Sequence, residues 1–376
     1  MRGPMRFVYF THSLVSDWNH GNAHFLRGIV RELTSRGHEV QLFEPRDNWS
    51  LQNLIADQGP EAVARYATAF PGLRSTTYDL ATLDLDRALD GADVVIVHEW
   101  NDHDLVARIG RKRAGGGRFH LLFHDTHHRS VSDPKSMAAY DLTSYDGVLA
   151  YGAVIREIYL SMGWGKRAWT WHEAADTALF RPLPARPREG DLVWIGNWGD
   201  GERSVELGEF LLLPIRQLRL KARIHGVRYP AEAKAAVNLA GAEYAGYLPN
   251  HEAPEAFARF AVTVHVPRRP YVEMLRGIPT IRPFEAMACG IPLVCSPWDD
   301  AEGLFRPGND YLIAHNGTEM TKHLRNILND LDLSAALARS GYETIQARHT
   351  CAHRVDELLD ICRELKQANP LLLEAR

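Results

Sequence analysis

The sequence predicts an α/β protein made of two Rossmann-like domains, each a doubly wound parallel sheet. Its 376 residues are enough for two domains of ordinary size. In both halves, short apolar runs alternate with amphipathic helical stretches, which is the pattern of a parallel sheet covered by helices. The segment 182–190, PLPARPREG, is proline-rich, charged and without periodicity, as expected of a linker. The predicted domains are therefore residues 1–182 and 183–355.

Composition limits the class of protein. Hydrophobic residues make up 45% of the chain and charged residues 24%, which is typical of a soluble globular protein. A formal net charge of −4 predicts no nucleic-acid partner. The four cysteines lack metal-ligand or paired spacing, so reduced thiols in a cytoplasmic protein are expected. No signal peptide and no transmembrane segment is predicted, because every apolar run is too short.

In the first half, buried strands are predicted at residues 6–11, 39–43, 93–98, 119–123, 145–151 and 168–172, and a helix at 23–35. Ligands bind at the carboxyl ends of parallel strands, and histidines are concentrated there, at His98 and from His124 to His128. His127 and His128 are adjacent and would point apart on a strand, so zinc is not expected. Residues 48–79 form an insertion with two weak helical stretches, whose role the sequence does not predict.

The second half begins with a strand at residues 191–195 and the glycine-rich loop GNWGDGER, residues 196–203. A strand, a glycine-rich loop and a helix start can hold a phosphate, here with Asn197 and Arg203. Tyr247 follows a predicted strand at residues 244–248, where it either contacts a nucleotide base or packs in the core.

Residues 261–296 carry the most specific pattern of the chain. A strand at 261–266 leads to Arg268, a helix at 284–289 starts after Pro283, and a second strand occupies 291–295. Unpaired N–H groups at a helix start favour an anion, and Arg268 and Arg282 lie nearby in sequence. Glu285, in the first helical turn, can accept two hydroxyl hydrogen bonds, as a ribose would offer. Arginines for a diphosphate beside a carboxylate for a ribose indicate a nucleotide.

Two simpler interpretations remain open for this stretch. Glu285 would stabilise a helix N-terminus in any case, by placing a negative charge near the positive end of the helix dipole. The arginines, in turn, can form ion pairs with Glu285, Glu273 or Asp299 and so hold the loop together.

The run RPFEAMACGIPLV, residues 282–294, resembles the donor-site signature of GT-B glycosyltransferases, in particular the CgeB-type (spore maturation protein-like) branch related to glycosyltransferase family 4. The resemblance implies the GT-B fold, in which two Rossmann-like domains face a cleft and a last helix, here 356–376, crosses back to the first domain. It implies sugar transfer, with retention, from a UDP-, GDP- or dTDP-sugar to an unknown acceptor, which is a glycan, a lipid-linked molecule or a small molecule. No cofactor other than the donor is expected.

The resemblance also assigns residues. Glu285 would hold the ribose, and Gly277 stands where family 4 has a sugar-reading glutamate. His124 resembles the histidine placed between donor sugar and β-phosphate, and with Arg268 and Arg282 it forms the expected catalytic set. The other expected contacts are Thr280, Ile281, Phe284, Arg203, Asn197, Tyr247, Gly21 and Asn22 on the donor side, and His20, His98 and His127 on the acceptor side. Gly21 and His20 also fit an ordinary turn with solvated histidines.

Transfer without a metal is expected, because arginines match phosphate oxygens and the triplet Asp84-Leu85-Asp86 precedes a strand, away from the expected cleft. Two alternatives remain: a nucleotide-sugar 2-epimerase of the same fold, and a catalytically silent relative that only binds nucleotide sugar, which Gly277 motivates. A panel of nucleotide sugars distinguishes the three by released nucleotide, interconverted sugar or binding without turnover.

Overall fold

A computed structural model describes residues 3–184 and 186–368 and divides the chain into two compact units. The first unit extends to Glu173 and resumes at Cys351, and the second is Ala174–Thr350. Each unit contains one parallel sheet with helices, so the predicted α/β fold class is confirmed. No helix among the described residues is both long and apolar enough to cross a membrane.

The first unit is built on a seven-stranded sheet of order β3-β2-β1-β4-β5-β6-β7. Its strands are β1 Arg6–Phe10, β2 Glu39–Pro45, β3 Thr76–Tyr78, β4 Val94–His98, β5 His120–Asp125, β6 Gly147–Ala150 and β7 Ala168–Thr170. The central strands β1, β4 and β5 are buried along almost their whole length and have apolar residues in their middle, because helices cover both faces of the sheet. Their carboxyl ends lie side by side, since β4 pairs in parallel with both β1 and β5.

The helices of the first unit follow the strands in alternation: α1 Asn22–Ser35, α2 Trp49–Gln58, α3 Glu61–Ala69, α4 Leu85–Leu89, α5 His103–Ala114, α6 Arg129–Ser132, α7 Pro134–Ala138 and α8 Ala153–Ser161. The insertion forms α2 and α3, as expected, and also the edge strand β3, which the sequence pattern missed. That strand has only three residues, two of them exposed, so it shows no apolar alternation.

The second unit is built on a six-stranded sheet of order β10-β9-β8-β11-β12-β13. Its strands are β8 Leu192–Ile195, β9 Ala222–His225, β10 Glu243–Gly246, β11 Val262–His265, β12 Leu293–Cys295 and β13 Leu312–Ile313. Its helices are α9 Ser204–Leu207, a π-turn Gly208–Leu212, α10 Leu213–Leu218, α11 Ala231–Leu239, a 3₁₀ turn Asn250–Glu252, α12 Ala253–Ala258, α13 Arg269–Glu273, α14 Ile281–Ala288, α15 Gly317–Asn329 and α16 Leu331–Arg348.

The boundary between the units differs from the predicted one at Pro182. Ala175 and Phe180, although they precede the proline-rich segment, are fully buried in the core of the second unit, where they join Phe284 and Met287. The boundary between the units therefore follows the burial of these apolar side chains. The proline-rich segment lies after the boundary and is an exposed part of the second unit.

The last described helix, α17 Cys351–Ala368, belongs to the first unit. Trp171 donates its indole N–H to the carbonyl of Arg354 at 2.8 Å, and Arg36 pairs with Asp356 at 2.6 Å. The helix begins before the predicted residue 356, and residues 369–376 of the predicted crossing helix lie outside the described part of the chain.

Two further predictions about local structure are wrong. Helix α14 begins at Ile281 and not after Pro283, because proline is tolerated in a first turn, where its missing N–H has no intrahelical acceptor to lose. His127 and His128 lie in the turn after β5, not on the strand, and their ring centroids are 4.0 Å apart.

Candidate functional site

Three guanidinium groups lie near one another at the carboxyl end of the second sheet, on Arg203, Arg268 and Arg282. Arg203 donates to the carbonyl of Val266 at 2.9 Å and to that of Asn197, and its guanidinium lies 5.2 Å from the Trp194 ring centroid. Burial, and then the charges of Arg268 and Arg282, lower the pKa of Arg203 to about 9. No carboxylate among the described residues forms an ion pair with Arg203, so this positive charge is not locally neutralised.

The two other arginines do have acidic partners. Arg268 pairs with Glu202 at 2.8 Å, and Arg282 pairs with Glu285. For Arg282 this is the ion pair that the sequence left open, while Glu202 was not among the expected partners. The assignment of these two arginines to catalysis therefore stays a prediction, since in this structure each contacts a carboxylate.

Glu285 is fully buried and both of its oxygens are engaged. Asn250 donates its amide to Oε1 at 2.7 Å, and Arg282 donates to Oε2. Asn250 is a residue that the sequence interpretation missed. It lies far from Glu285 along the chain, and no motif connects the two.

Helix α14 begins with an uncommon backbone conformation. Thr280, just before the helix, has φ 56° and ψ −179°, a region that almost only glycine occupies. The N–H groups of Ile281 and Arg282 have no intrahelical acceptor, as at any helix start, and they favour an anion. Phe284, predicted to contact the donor, is instead fully buried and packs on Phe305 at 5.3 Å. Its role is to fix the helix against the core.

His265, the last residue of β11, was not predicted to take part. It is buried, its Nε2 has no hydrogen-bond partner, and its pKa is lowered to about 3 by burial and by the charges of Arg203 and Arg282. A neutral imidazole beside two guanidinium groups can donate one hydrogen bond to a phosphate oxygen without adding charge. The sequence signal was a polar residue ending an otherwise apolar strand.

The Glu302 side chain occupies the space beside Gly277. Gly277 has φ 92°, and a Cβ added there would lie 3.0 Å from Cγ and 3.2 Å from Oε1 of Glu302. Glu302 follows β12 and Gly277 follows β11, so both lie at the carboxyl edge of the same sheet. Gly277 thus leaves the space that the Glu302 side chain fills.

Asn197, Tyr229 and Tyr247 lie in the segments that follow β8, β9 and β10. Asn197 accepts a hydrogen bond from the N–H of Val227 at 3.0 Å and so connects the loops after β8 and β9. Tyr229 is buried and hydrogen-bonded to Trp194 and Gly196, which makes it a core residue. Tyr247 is half-buried and directly follows β10, so it keeps a place at the sheet edge.

In the first unit, four histidines form a chain of rings at the carboxyl ends of β1, β4 and β5. In this histidine cluster, the ring centroids are 5.1 Å apart for His12 and His20, 6.1 Å for His20 and His98, and 5.6 Å for His98 and His124. Burial lowers the pKa of each, to about 4 for His12 and about 3 for His124. All four are therefore neutral near pH 7.

The structure thus brings together His20, His98 and His124 from the predicted set and adds His12, which follows β1. His20 Nε2, His98 Nδ1 and His124 Nε2 are buried without a hydrogen-bond partner, while His98 Nε2 lies 2.9 Å from the Thr126 hydroxyl. Unpartnered ring nitrogens of neutral imidazoles are available to hydroxyl groups of a ligand.

The remaining predicted residues of this unit lie around the cluster. Asn22 is buried and its amide donates to Glu173 Oε1 at 3.3 Å, while Gly21 is the exposed residue before α1, in ordinary helical conformation. The expectation that Gly21 is needed for close backbone approach therefore finds no support in its φ of −63°. His127 contacts Trp100, with 5.1 Å between ring centroids.

A buried pair of acids supports the loops under the histidine cluster. Burial and the neighbouring Asp125 raise the pKa of Glu99, and burial raises the pKa of Asp125 to about 6. Tyr159 donates to Asp125 Oδ2 at 2.8 Å, Thr126 N–H donates to Glu99 Oε1 at 2.8 Å, and Arg129 lies 4.0 Å from Glu99 Oε2. The raised pKa values favour the protonated forms of these acids, which lie beside the charge of Arg129.

The three Asp-x-Asp triplets of the sequence all serve helix starts. Asp84, Asp102 and Asp330 each accept a hydrogen bond from a first-turn N–H, at the beginning of α4, α5 and α16. Across residues 3–184 and 186–368, no three His, Cys, Asp or Glu side chains are grouped as a metal site would require.

Comparison with solved structures places the chain in a known fold class. It matches a sucrose-phosphate synthase from Thermosynechococcus elongatus with a TM-score of 0.65 at 16% identity, covering 97% of this chain and 100% of the other. An α-glucosyltransferase in complex with UDP and a 13-mer DNA gives 0.69 at 14%, covering 96% and 100%. HepE of Anabaena in complex with UDP gives 0.64 at 12%, covering 96% and 100%. These likenesses, with the two parallel-sheet units, define the GT-B fold.

The family comparison concerns the second half of the chain. Residues 203–360 match the family described as glycosyl transferase-like, a stretch that includes Arg203, Arg268, Arg282 and Glu285. No curated protein matches by sequence. Within these residues the chain is therefore similar to glycosyltransferases.

Proposed function

We propose that the protein transfers a glycosyl group from a nucleoside diphosphate sugar to an acceptor hydroxyl. The observation that carries this proposal is the unneutralised, partly buried guanidinium of Arg203, which lies among Arg268, Arg282 and the start of α14. A diphosphate supplies the missing negative charge, and bidentate contacts with arginine suit its oxygens.

A UDP-sugar is the first donor to test, ahead of GDP- and dTDP-sugars, because HepE and the α-glucosyltransferase are each described in complex with UDP-glucose. In this proposal Glu285 accepts the ribose hydroxyls, and Thr280, Ile281, Asn197 and Tyr247 contribute further donor contacts. Membership of the CgeB-type branch would fit the absence of a glutamate at Gly277.

The chemistry is the stabilisation of a departing diphosphate. Charge develops on the leaving phosphate as the glycosidic bond breaks, and fixed cations at that position lower the barrier. We assign this role to Arg268, Arg282 and Arg203, assisted by the N–H groups of α14, so that transfer proceeds without a divalent metal. His124, neutral near pH 7, is assigned to turnover, and retention of configuration is part of the proposal.

Calorimetric titration with UDP tests the diphosphate site. Arg203→Met should weaken UDP binding by about 1.5–3 kcal/mol, the range for hydrogen bonds to a charged group. Arg219→Met, which removes an exposed arginine of the same unit, is the matched control and should bind like the parent. Equal affinity of Arg203→Met and the parent would remove the assignment.

Incubation with a panel of nucleotide sugars tests the reaction. Release of nucleotide, slow in water and faster with acceptor, is the expected result. Interconversion of the sugar while it stays bound to nucleotide would instead identify a 2-epimerase. Tight binding without any turnover would identify a silent relative.

A further inference from the structure

Trp100 is a large apolar side chain held at the surface by a rigid loop. It follows β4 and is 41% exposed, although its neighbours Glu99 and Asn101 are buried. Asn101 donates its amide to the carbonyls of Phe10 at 2.9 Å and His98 at 2.7 Å. On the other side of Trp100, the Glu99 N–H donates to the carbonyl of His124 at 2.9 Å, so the backbone is held on both sides of the exposed indole.

The indole is supported from one side and has polar neighbours. The Arg129 guanidinium lies 4.5 Å from the ring centroid, while the ring centroids of His127 and His12 lie 5.1 Å and 6.3 Å away. Within the described residues the indole N–H has no hydrogen-bond partner. A supported aromatic face with donors and acceptors at its rim suits a ligand that has an apolar face and a polar edge.

The charges near Trp100 balance, which restricts the ligand. Arg129 lies 4.0 Å from a Glu99 oxygen and also interacts with Asp125, so its charge is matched by the acid pair. His12 is neutral near pH 7, since burial lowers its pKa to about 4. An anion gains little from such a place, whereas neutral imidazoles both donate to and accept from hydroxyl groups. The surroundings favour an uncharged, hydroxyl-rich ligand.

We propose that Trp100 is a stacking platform for a pyranose ring, and that the acceptor is therefore a carbohydrate. The C–H face of the sugar lies on the indole, and a hydroxyl of the sugar bonds to the neutral imidazole of His12. This deepens the proposed function and rests on it for the transfer reaction, but sugar binding can be measured without any donor. A nucleic-acid base would also stack on an indole. The balanced charge argues against a polyanion, and the test separates the two.

The test uses saturation-transfer NMR with methyl glucopyranosides, methyl galactopyranosides and maltose, and in parallel with a short oligothymidylate. The parent protein should transfer saturation to the ring C–H protons of at least one sugar. Trp100→Ala should weaken that sugar about tenfold, while Trp100→Phe keeps most of the affinity. Leu160→Ala is the matched control. Leu160 is also 41% exposed, but it lies near the end of α8, which leads to the amino end of β7 and not to the carboxyl ends of the strands.

Three outcomes would overturn the proposal: none of the sugars binds, Trp100→Ala binds them like the parent, or the oligothymidylate binds in a Trp100-dependent manner. UDP affinity is measured on the same variants and should be unchanged in all of them. If UDP binds to none, including the parent, the proposed transfer reaction fails, while the sugar site is still decided by the NMR result.

Discussion

Replacing Glu285 with glutamine separates recognition of the ribose from recognition of the phosphates. Glutamine keeps the size of the side chain and one carbonyl oxygen for the Asn250 amide, which donates to Oε1 at 2.7 Å. It removes the negative charge that now pairs with Arg282. The substitution therefore weakens the acceptor for two ribose hydroxyls and, at the same time, releases a guanidinium beside the proposed diphosphate site.

The expected magnitudes have opposite signs for two ligands. UDP should lose about 1.5–3 kcal/mol, the range for hydrogen bonds to a charged group, which is roughly a 10- to 150-fold increase in Kd. Inorganic pyrophosphate has no ribose, so it should bind as tightly as to the parent or more tightly, since Arg282 is no longer neutralised. The side chain of Arg282 is only 19% exposed, which keeps its freed charge near the site.

Calorimetry with UDP and with pyrophosphate measures both effects, and thermal melting checks that the variant is folded. Glu273→Gln, an exposed carboxylate on α13, is the control for a general loss of negative charge. Equal weakening of both ligands would mean that Glu285 acts only by shaping the loop. Unchanged affinity for both UDP and pyrophosphate would refute the ribose assignment.

Four further outcomes follow from the same contacts. His124→Ala should lower kcat more than it raises the donor KM. Because the pKa of His124 is about 3, steady-state kinetics of the parent should show no titration of this residue between about pH 5 and 8. A normal kcat in the variant would mean that His124 only packs in the core. The free energy of unfolding should rise from about pH 4 to 6.5 in urea melts, because the unfolded histidines bind protons there and the buried cluster does not. The raised pKa values of Glu99 and of Asp125, the latter about 6, act in the opposite direction. The four histidines outnumber these two acids, so a falling curve would contradict the assignment. Gly277→Glu should lower Tm, because φ at this position is 92° and Glu302 occupies the space; the backbone conformation alone costs about 1–2 kcal/mol. Combining Gly277→Glu with Glu302→Ala should remove the clash between the two side chains and so restore part of the lost stability, while the cost of the backbone conformation stays. Initial rates should be the same with and without chelator, and activity that stops in chelator and returns with manganese would rule out transfer without a metal.

The fold could be predicted from local patterns because its strands are short, apolar and bounded by polar loops. The first strand, for example, was predicted at residues 6–11 and runs from Arg6 to Phe10. Elements without that contrast were missed, such as the three-residue edge strand β3. The start of α14 was misplaced because Pro283 marks a first turn and not a particular position within it.

The sequence predicted those residues of the candidate site that lie at or just after the carboxyl end of a strand. His98 and His124 lie at the carboxyl ends of strands, and Arg203 and Arg268 lie in loops that follow strands. Parallel strands bring such residues to one edge of their sheet. The hydrogen-bond partners of site residues were not predictable, because they come from distant parts of the chain. Asn22 and Glu173, for example, are 151 residues apart in sequence and are joined by one hydrogen bond. Pairing of this kind depends on tertiary packing, which no local pattern encodes.

The return of α17 to the first unit has a consequence for the order in which the chain can fold. Residues 174–350 form one uninterrupted segment and can complete their core as soon as they have left the ribosome. The first unit cannot, because Trp171 and α1 have to wait for a helix that begins only at Cys351. During synthesis the usual order of domains is therefore reversed: the second unit is finished first, and the amino-terminal sheet keeps part of its apolar surface uncovered until α17 has been synthesised.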